Sequence, residues 1–472
     1  MKTPENPIIV KDKLDSVGCG FCLAKWTQVT IHLGSGINHS CHHVKAHKID
    51  LEELKNNPNA LHNTGFKKQT RKQMLNGERP GECDYCWRIE DNTDNFSDRV
   101  YKSGDLFSWP DFDTISTSTG DEDFYPRFVE VSFGNVCNFK CAYCGPPFSS
   151  KWTEEVKAKG PYDIKTWQYN VINPDEQPIP EREENPYIEA FWKWFPEAVK
   201  HMTTFRITGG EPLLSKHTKK VIQYLIDNPQ PKLKFAINTN GCPPKGLWEE
   251  FTQLIKQLED TKSIKEFTLY TSAESTGIQA EYSRDGMVWH QFTDNVEYFA
   301  RNTRSKVSFM SAFNIFSLPT FKDFLIWVLH LKATYSGENR WNQRILIDIP
   351  YVRNPAFLDI KIANPQIVDD YLRPALTFME QNTDPRGFKT VETAKLKRIV
   401  EDVDHRFNNK DKFWKEQQEA QNMFFKFILQ YDRRRQRNFL NTFPEYEGFF
   451  EIIKNVWYYF YKLSRAKCRR KF

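Results

Sequence analysis

The sequence has no long run of apolar residues. Its longest apolar stretches, such as residues 324–331, are far shorter than the roughly 20 residues that a membrane-spanning helix needs. The first residues, MKTPENPIIVKDKLD, contain neither the apolar segment nor the small-residue cleavage site of a secretion signal. We therefore expect a soluble, cytoplasmic protein with no membrane partner.

The chain also has little excess of charge for its length. A formal net charge of +5 over 472 residues indicates no particular class of partner. Two basic runs, 433–437 and 465–471, could contact phosphate groups, but runs of like charge usually form solvated helix faces. We adopt the second interpretation, so nucleic acid is not the expected partner, although charge alone does not exclude it.

Cysteine, by contrast, is unevenly distributed. Eight of the ten cysteines lie in the first third of the chain, at positions 19, 22, 41, 83, 86, 137, 141 and 144, and the others are Cys242 and Cys468. In a chain of this size without a secretion signal, clustered cysteines are more often metal ligands than disulfide partners. The sequence therefore concentrates its expected metal chemistry toward the N-terminus.

Short β-rich runs alternate with helical segments through the middle of the chain. The runs lie at residues 128–133, 204–208, 233–238, 266–271, 307–314 and 344–349, and the helices at 186–201, 217–227, 247–258, 293–303 and 320–334. This alternation predicts an α/β fold with a parallel sheet and right-handed crossovers. Six such units are too few for a closed eight-stranded barrel, so we predict a partial (β/α)6 barrel.

Changes in composition divide the chain into four predicted segments. Residues 1–103, rich in Cys, His and Lys, form a small domain that we expect to be held by bound metal rather than by a core of its own. The polar stretch 104–125 is a linker, residues 126–360 form the partial barrel, and residues 361–472 form a charged helical region. The Pro-rich stretch 151–184 is a surface excursion that could cover the active site.

Three cysteines follow the first predicted strand in the sequence VSFGNVCNFKCAYCGPP, with three and then two residues between them. Thiolates at this spacing can converge on one cluster from a single loop. Cys137, Cys141 and Cys144 would hold three irons of a [4Fe–4S] cube and leave the fourth iron open to another ligand. A structural zinc site would use paired C-x-x-C units, and a fully ligated ferredoxin-type cluster would need a fourth cysteine nearby; the sequence offers neither at this loop.

This Cys-x-x-x-Cys-x-aromatic-Cys pattern, with Tyr143 as the aromatic residue, resembles the radical S-adenosylmethionine (SAM) superfamily. The resemblance implies a partial barrel of radical SAM type, with Tyr143 among the cofactor-binding residues. It also implies an open iron that binds the amino and carboxylate groups of SAM. Reductive cleavage of SAM would then give a 5′-deoxyadenosyl radical that abstracts hydrogen from a substrate. In such enzymes the cofactor carries the reaction, and the protein supplies the site and excludes water.

Later segments of the predicted barrel resemble SAM-binding motifs of the same superfamily. After the second strand comes TGGEPLL, in which a Gly-Gly turn lets the backbone approach a ligand closely. In NTNG, after the third strand, Asn240 is the candidate SAM contact, although a plain β-turn explains the same letters. By resemblance, the residues that hold the SAM amino group are Gly209, Gly210, Glu211 and Pro212.

Ser272 and Arg284, in the segments YTSAE and RDG, resemble the pair that holds the SAM ribose and carboxylate. Arginine suits a carboxylate because its planar guanidinium donates two parallel hydrogen bonds. The family more often has Asp two residues after that serine, whereas this chain has Glu274. Asn314, at the end of the fifth strand, is a weaker candidate.

A second group of thiols lies near the N-terminus. Cys83 and Cys86 form a C-x-x-C pair that Cys22 and Cys41 could complete as a four-thiolate site, while Cys19 is a spare thiol. The segments CLAKWTQVTIHLGSGINHSCHH, NGERPGECDYCWRIED, QAEYSRDG and RRQRNFLNTFPE resemble twitch-domain radical SAM proteins, which implies an auxiliary [4Fe–4S] cluster on these four cysteines. In better-known twitch enzymes the auxiliary domain follows the barrel, whereas here the cysteines precede it. Zinc is the alternative metal. We expect four polar histidines to meet solvent, namely His39, His42, His43 and His47.

Cys242, in NGCPP, falls on the strand-end face where substrates bind in barrel-like folds. It could act catalytically by donating a hydrogen atom to a substrate radical, but a small buried thiol is the commoner explanation. Cys468, in the basic tail, has no predicted role.

The sequence thus predicts a radical SAM oxidoreductase or isomerase that acts on a small molecule or a peptide and is reduced by flavodoxin or ferredoxin. Oxidation, epimerisation and rearrangement are left open. The enzymatic alternatives are maturation of a ribosomal peptide and modification of a nucleotide or nucleic acid. Outside enzymology, the alternative is a metal-binding interaction protein.

Overall fold

The computed structural model describes residues 6–166, 172, 177–180, 182–336, 343–383 and 385–455. The chain forms two compact units. The first comprises Met1–Val136, Asn173–Asn238 and Gln257–Phe267, and the second comprises Cys137–Ile172, Thr239–Lys256 and Thr268–Phe472. Cys468 and the basic run 465–471 lie outside the described residues.

The described strands are β1 (Gln28–His32), β2 (Ile37–His39), β3 (His47–Lys48), β4 (Phe128–Ser132), β5 (Lys140–Cys141), β6 (Thr204–Thr208), β7 (Gln230–Thr239), β8 (Ile264–Thr271), β9 (Arg284–Asp285), β10 (Lys306–Met310) and β11 (Ile345–Asp348). The described α-helices before residue 260 are α1 (Pro7–Val17), α2 (Ala24–Thr27), α3 (Leu51–Asn56), α4 (Gly65–Leu75), α5 (Asp84–Asn92), α6 (Asp98–Ser103), α7 (Phe112–Ser116), α8 (Ser150–Lys159), α9 (Pro186–Ala198), α10 (Lys216–Asp227) and α11 (Lys245–Asp260). Those that follow are α12 (Gly277–Ser283), α13 (Trp289–Asn302), α14 (Phe321–Tyr335), α15 (Pro365–Ile367), α16 (Arg373–Gln381), α17 (Thr390–Asn408), α18 (Lys410–Arg435) and α19 (Phe439–Thr442).

The first unit is built on a mostly parallel sheet. Strands β1, β4, β6 and β7 pair in parallel, and the short strands β2 and β3 extend the β1 edge in antiparallel fashion. Side chains alternate between the two faces of a strand, and on one face Val131 and Phe205 are fully buried. Helix α9 covers this apolar face, with the rings of Phe195 and Phe205 5.1 Å apart. The opposite face is polar and includes Glu130 and Arg206, which form an ion pair.

The N-terminal segment contributes both a strand and an apolar core to this unit. Strand β1 pairs in register with β4, from Gln28 beside Phe128 to His32 beside Ser132. The expectation that residues 1–103 lack a core of their own is wrong, because an apolar cluster surrounds Cys83 and Cys86. Helix α7, inside the predicted linker 104–125, supplies two members of that cluster. The four-segment division of the chain stays a prediction. The cluster includes Val10, Leu14, Phe21, Leu23, Trp26, Met74, Trp87, Val100, Phe112 and Ile115.

The second unit contains the remaining parallel strands and most of the C-terminal helices. Thr268–Thr271 of β8 pair in parallel with β10, and β10 pairs in parallel with β11. Helix α14 packs on β10 through aromatic rings, with Phe309 5.5 Å from Phe324 and 5.3 Å from Trp327. A separate two-stranded antiparallel ribbon joins β5 to β9.

The predicted α/β fold with a parallel sheet is confirmed, and it is compatible with a partial barrel of radical SAM type. All six predicted strands overlap strands β4, β6, β7, β8, β10 and β11. The fifth was predicted too long, since β10 ends at Met310. Asn314 instead caps a short 3₁₀-helix, its side chain accepting from the Phe316 amide at 2.9 Å, and it is fully buried.

The basic run 433–437 is only partly the solvated face that we predicted. Arg433 is exposed, but the side chains of Arg434 and Arg435 are 6% and 2% exposed and are paired with carboxylates. Among the described residues, no helix is long and apolar enough to cross a membrane.

We predict that Lys332→Met strongly destabilises the second unit. Lys332 on α14 is fully buried and donates to Glu392 on α17 at 3.0 Å and to the Ile345 carbonyl of β11 at 2.9 Å. Removing the ammonium leaves the buried Glu392 carboxylate uncompensated, which costs about 3–5 kcal/mol. Chemical denaturation of the purified protein should show this loss, whereas Lys397→Met at an exposed position of α17 should stay within about 0.5 kcal/mol. Equal stabilities of the two variants would contradict the prediction.

Candidate active site

The second unit brings the three cysteines of the predicted cluster loop together. These cysteines lie close enough that ionised Cys137 raises the pKa of both Cys141 and Cys144, and ionised Cys144 raises the pKa of Cys141. Burial is the larger effect: it raises the pKa of Cys141 strongly and that of Cys144 to about 12. The Phe139 amide lies 3.4 Å from the Cys137 sulfur and donates to it. The three thiols therefore lie near one another on one loop, and a backbone amide of that loop donates to one of the sulfurs.

The ribbon of β5 and β9 fixes the middle cysteine. Cys141 is the register partner of Arg284, and the Ala142 amide donates to the Ser283 carbonyl at 2.7 Å. Arg284 NH1 also lies 4.0 Å from the Cys141 sulfur. Two of the predicted site residues, a cluster cysteine and the candidate carboxylate-binding arginine, are therefore adjacent.

Arg284 already has a carboxylate partner within the chain. Its Nε lies 3.1 Å and its NH2 2.5 Å from Glu274 oxygens, and the side chains are 4% and 1% exposed. The Tyr143 hydroxyl donates to Glu274 Oε1 at 3.3 Å, and the Arg284 guanidinium lies 5.3 Å from the Tyr143 ring centroid. Burial raises the pKa of Glu274, while the neighbouring carboxylate raises that of Arg284 despite burial. A role for Arg284 in holding a SAM carboxylate stays a prediction, and it would require sharing the guanidinium with Glu274.

Two further predicted residues are engaged with the cysteine loop. Asn240 donates from Nδ2 to Asn138 Oδ1 at 2.7 Å, and its own Oδ1 accepts from the Cys242 amide at 2.9 Å. Asn138, between the first two cysteines, donates to the Cys242 carbonyl at 2.9 Å. The Cys242 side chain is buried, with its sulfur 3.7 Å from the Val288 carbonyl. Ser272 is half-buried just beyond β8. Asn138 was not among the predicted residues, although its place inside the cysteine motif could have indicated it.

The Gly-Gly turn lies in the first unit and packs tightly on the loop that follows β4. Gly209 has a φ of +126°, which favours glycine, and the Glu211 amide donates to the Val136 carbonyl at 2.7 Å. The Glu211 carboxylate caps the next turn, accepting from the Leu213 amide at 3.1 Å. A small cavity opens here in the first unit. Its lining is formed by Phe133, Gly134, Val136, Thr208, Gly210, Glu211, Pro212, Ser215 and Thr218.

The four N-terminal cysteines also come together, within the first unit. Ionised Cys22 and Cys41 each raise the pKa of both Cys83 and Cys86, and burial raises the pKa of Cys86 to about 11. The Ser103 hydroxyl lies 3.8 Å from the Cys22 sulfur and donates to it. Burial raises the pKa of the Cys83 thiol, and the nearby buried Lys25 ammonium partly opposes this rise.

Cys19 and the four histidines of this segment differ from one another in their exposure to solvent. Cys19 is exposed, with its sulfur 3.1 Å from the Gly77 carbonyl. Of the four histidines expected to meet solvent, only His42 is exposed. His39 Nδ1 donates to the Cys41 carbonyl at 2.9 Å, and burial lowers the pKa of His39 to about 4. His43 pairs with Asp98 and His47 with Thr64, so His39, His43 and His47 are half-buried and meet solvent only in part.

The donor sets fit iron–sulfur clusters. Among the described residues, no group of three or more His, Cys, Asp or Glu side chains is arranged around a single metal ion. In a four-iron cube each thiolate binds its own iron, so the sulfurs need not converge on one point. The sulfurs have amide, hydroxyl and cationic neighbours, which would offset part of the thiolate charge of a bound cluster.

The structure thus combines an α/β fold with three cysteines on the loop that follows a parallel strand. Residues 131–312 match the family model described as Radical SAM superfamily. A stretch of 132 residues, 27% of this chain, is 24% identical to the GTP 3′,8-cyclase of Mycobacterium ulcerans (strain Agy99) and covers 29% of that protein. The chain thus carries a radical SAM domain, and the resemblance to this superfamily is confirmed. The twitch-domain likeness stays a prediction.

We predict that Gly210→Ala disrupts the Gly-Gly turn. A Cβ at this position would stand 2.3 Å from the Val136 carbonyl oxygen and 2.6 Å from that of Asn135, so the two segments must separate. The overpacking should cost about 1–3 kcal/mol in free energy of unfolding and should weaken SAM binding, measured by isothermal titration calorimetry. Gly246→Ala, where a Cβ meets no atom within 4 Å, is the control. Unchanged SAM affinity in Gly210→Ala would show that the turn does not contact the cofactor.

Proposed function

We propose that this protein cleaves SAM reductively and uses the resulting radical to abstract hydrogen from a substrate. The observation that carries the proposal is the clustering of Cys137, Cys141 and Cys144 on one loop inside the radical SAM domain. A [4Fe–4S] cluster bound there would supply the electron that breaks a carbon–sulfur bond of SAM.

The chain's own residues would bind and orient the cofactors. Cys137, Cys141 and Cys144 would hold the cluster, and the Asn138–Asn240 amide contact would keep the loop in shape. The backbone of residues 209–212 is proposed to bind the SAM amino group, and Tyr143, Asn240, Ser272 and Arg284 are the other proposed SAM contacts. Glu274 would hold Arg284 in place through its two-oxygen contact.

An auxiliary [4Fe–4S] cluster on Cys22, Cys41, Cys83 and Cys86 is the second part of the proposal. Its support is that Cys22 and Cys41 lie close enough to Cys83 and Cys86 to raise the pKa of both, whereas Cys19 is exposed. The cluster would accept an electron from the substrate radical or orient the substrate. Zinc remains the alternative. Flavodoxin or ferredoxin is the proposed electron donor to the first cluster.

The proposed substrate is a small molecule or a peptide, and the net reaction is an oxidation, an epimerisation or a rearrangement. The similarity to a GTP 3′,8-cyclase favours a nucleotide-modifying enzyme as the second candidate. Cys242 stays a proposed hydrogen donor, although the burial of its side chain favours the simpler interpretation as a packed thiol.

We predict that replacing Cys137, Cys141 and Cys144 together with Ala abolishes SAM cleavage, because no open iron would remain. The assay is 5′-deoxyadenosine formation from SAM under dithionite after anaerobic reconstitution. Cys19→Ala, at an exposed thiol, should cleave SAM like the unmodified protein. Cleavage by the triple variant would overturn the central assignment.

A second prediction concerns the metal content. The reconstituted protein should hold about eight irons per chain, and the Cys83→Ala/Cys86→Ala variant about four, because only one four-iron cluster would remain. Elemental analysis together with Mössbauer spectroscopy makes the measurement. About four irons plus one zinc in the unmodified protein would show that the N-terminal cysteines bind zinc and would contradict the proposed auxiliary cluster.

A further inference from the structure

Helix α18 ends in a buried arginine. Arg435 is the last residue of the helix, and its side chain is 2% exposed. The next residue, Gln436, adopts a left-handed conformation with φ +54°, which stops the helix there. This helix lies outside residues 131–312, so the family match does not account for it.

Arg435 joins the buried Glu155 carboxylate to the partly buried Asp285 carboxylate. Its Nε lies 3.1 Å from Asp285 Oδ2, and its Nη1 donates to Glu155 Oε1 at 3.1 Å and to the Tyr162 hydroxyl at 2.7 Å. Lys140 approaches the same carboxylates, at 3.1 Å from Asp285 and 3.2 Å from Glu155. Because a buried cation is stable only when paired, this geometry ties α18 to both carboxylates.

This group of charged side chains is connected to Cys141 in two ways. Asp285 and Lys140 are register partners in the ribbon, and the neighbouring pair is Arg284 and Cys141. In addition, the Arg435 guanidinium lies 5.0 Å from the centroid of the Trp152 ring, and Trp152 Nε1 donates to the Cys141 carbonyl at 3.0 Å. Both the pairing and the carbonyl of Cys141 are therefore held by groups that Arg435 contacts.

Neighbouring residues of α18 reinforce this end of the helix. Tyr431 donates from its hydroxyl to the Tyr282 carbonyl at 2.8 Å, and the Tyr282 hydroxyl donates to Asp432 at 2.7 Å. Tyr282 precedes the β9 strand by two residues. The guanidinium of Arg435 also stacks 3.8 Å from the Tyr431 ring centroid.

We propose that Arg435 is a positioning residue that sets the place of Cys141, and hence the geometry of the cluster that the loop binds. This inference rests on the proposed role of Cys141 as a cluster ligand. The arginine acts through Asp285, Glu155 and Trp152.

The test compares Arg435→Lys and Arg435→Met with Arg433→Met, an exposed arginine two residues earlier on the same helix. Each variant is reconstituted anaerobically and reduced, and its iron content and electron paramagnetic resonance spectrum are recorded without and with SAM. We expect Arg435→Lys to retain its iron but to show an altered spectrum and an altered response to SAM, because lysine lacks the fork that spans both carboxylates. Its rate of SAM cleavage should fall on the order of tenfold to a hundredfold. Arg433→Met should match the unmodified protein.

Arg435→Met could unfold the site, which is why the lysine variant decides the question. An unchanged spectrum and an unchanged rate in Arg435→Lys would overturn the inference, whatever Arg435→Met shows. So would a lower melting temperature accompanied by an unchanged spectrum per iron, since that result indicates a purely structural arginine. If the unmodified protein binds iron but does not cleave SAM, the proposed function fails, while the spectra recorded without SAM still decide the role of Arg435.

Discussion

The pairing of Cys141 with Arg284 in a short antiparallel ribbon is the interaction on which the rest of the candidate cysteine site depends. A loop carrying three cysteines is flexible unless something outside it fixes the backbone. Here the ribbon fixes the middle cysteine. Of the two residues of β9, Arg284 pairs with Glu274 and Asp285 pairs with Arg435. A proposed cluster ligand, a proposed cofactor contact and helix α18 therefore all meet β9, a strand of two residues.

Buried charge gives this arrangement its rigidity. Arg284 with Glu274, and Arg435 with Glu155 and Asp285, are ion pairs whose side chains are nearly all withdrawn from water. Such pairs contribute little net stability, but losing one partner is costly, so they specify one geometry. Withdrawing these charges from water costs free energy, and such a cost is expected where a site must hold its thiols in one fixed arrangement.

Much of the fold could be predicted from the sequence because strands such as β6 carry their hydrophobic pattern locally. Strand β1 was missed, since its burial depends on a partner 100 residues later, Phe128 beside Gln28. The cysteine motifs, Tyr143 and Arg284 were likewise visible as patterns. The partners that hold them were not: Arg435 and Asp285 are 150 residues apart, and nothing in a basic run predicts which arginine is buried. Glu274 was recognised only as a departure from the family pattern, and the structure shows it as the partner of Arg284.

The central claim is that the cysteine loop leaves one iron free for SAM. Electron–nuclear double resonance on the reduced, reconstituted protein measures this directly, using SAM labelled with ¹⁵N in its amino group and ¹⁷O in its carboxylate. Our account predicts hyperfine coupling of both labels to the cluster. Absence of both couplings in a protein whose loop holds a complete cluster would show that its fourth iron is closed and would contradict the account.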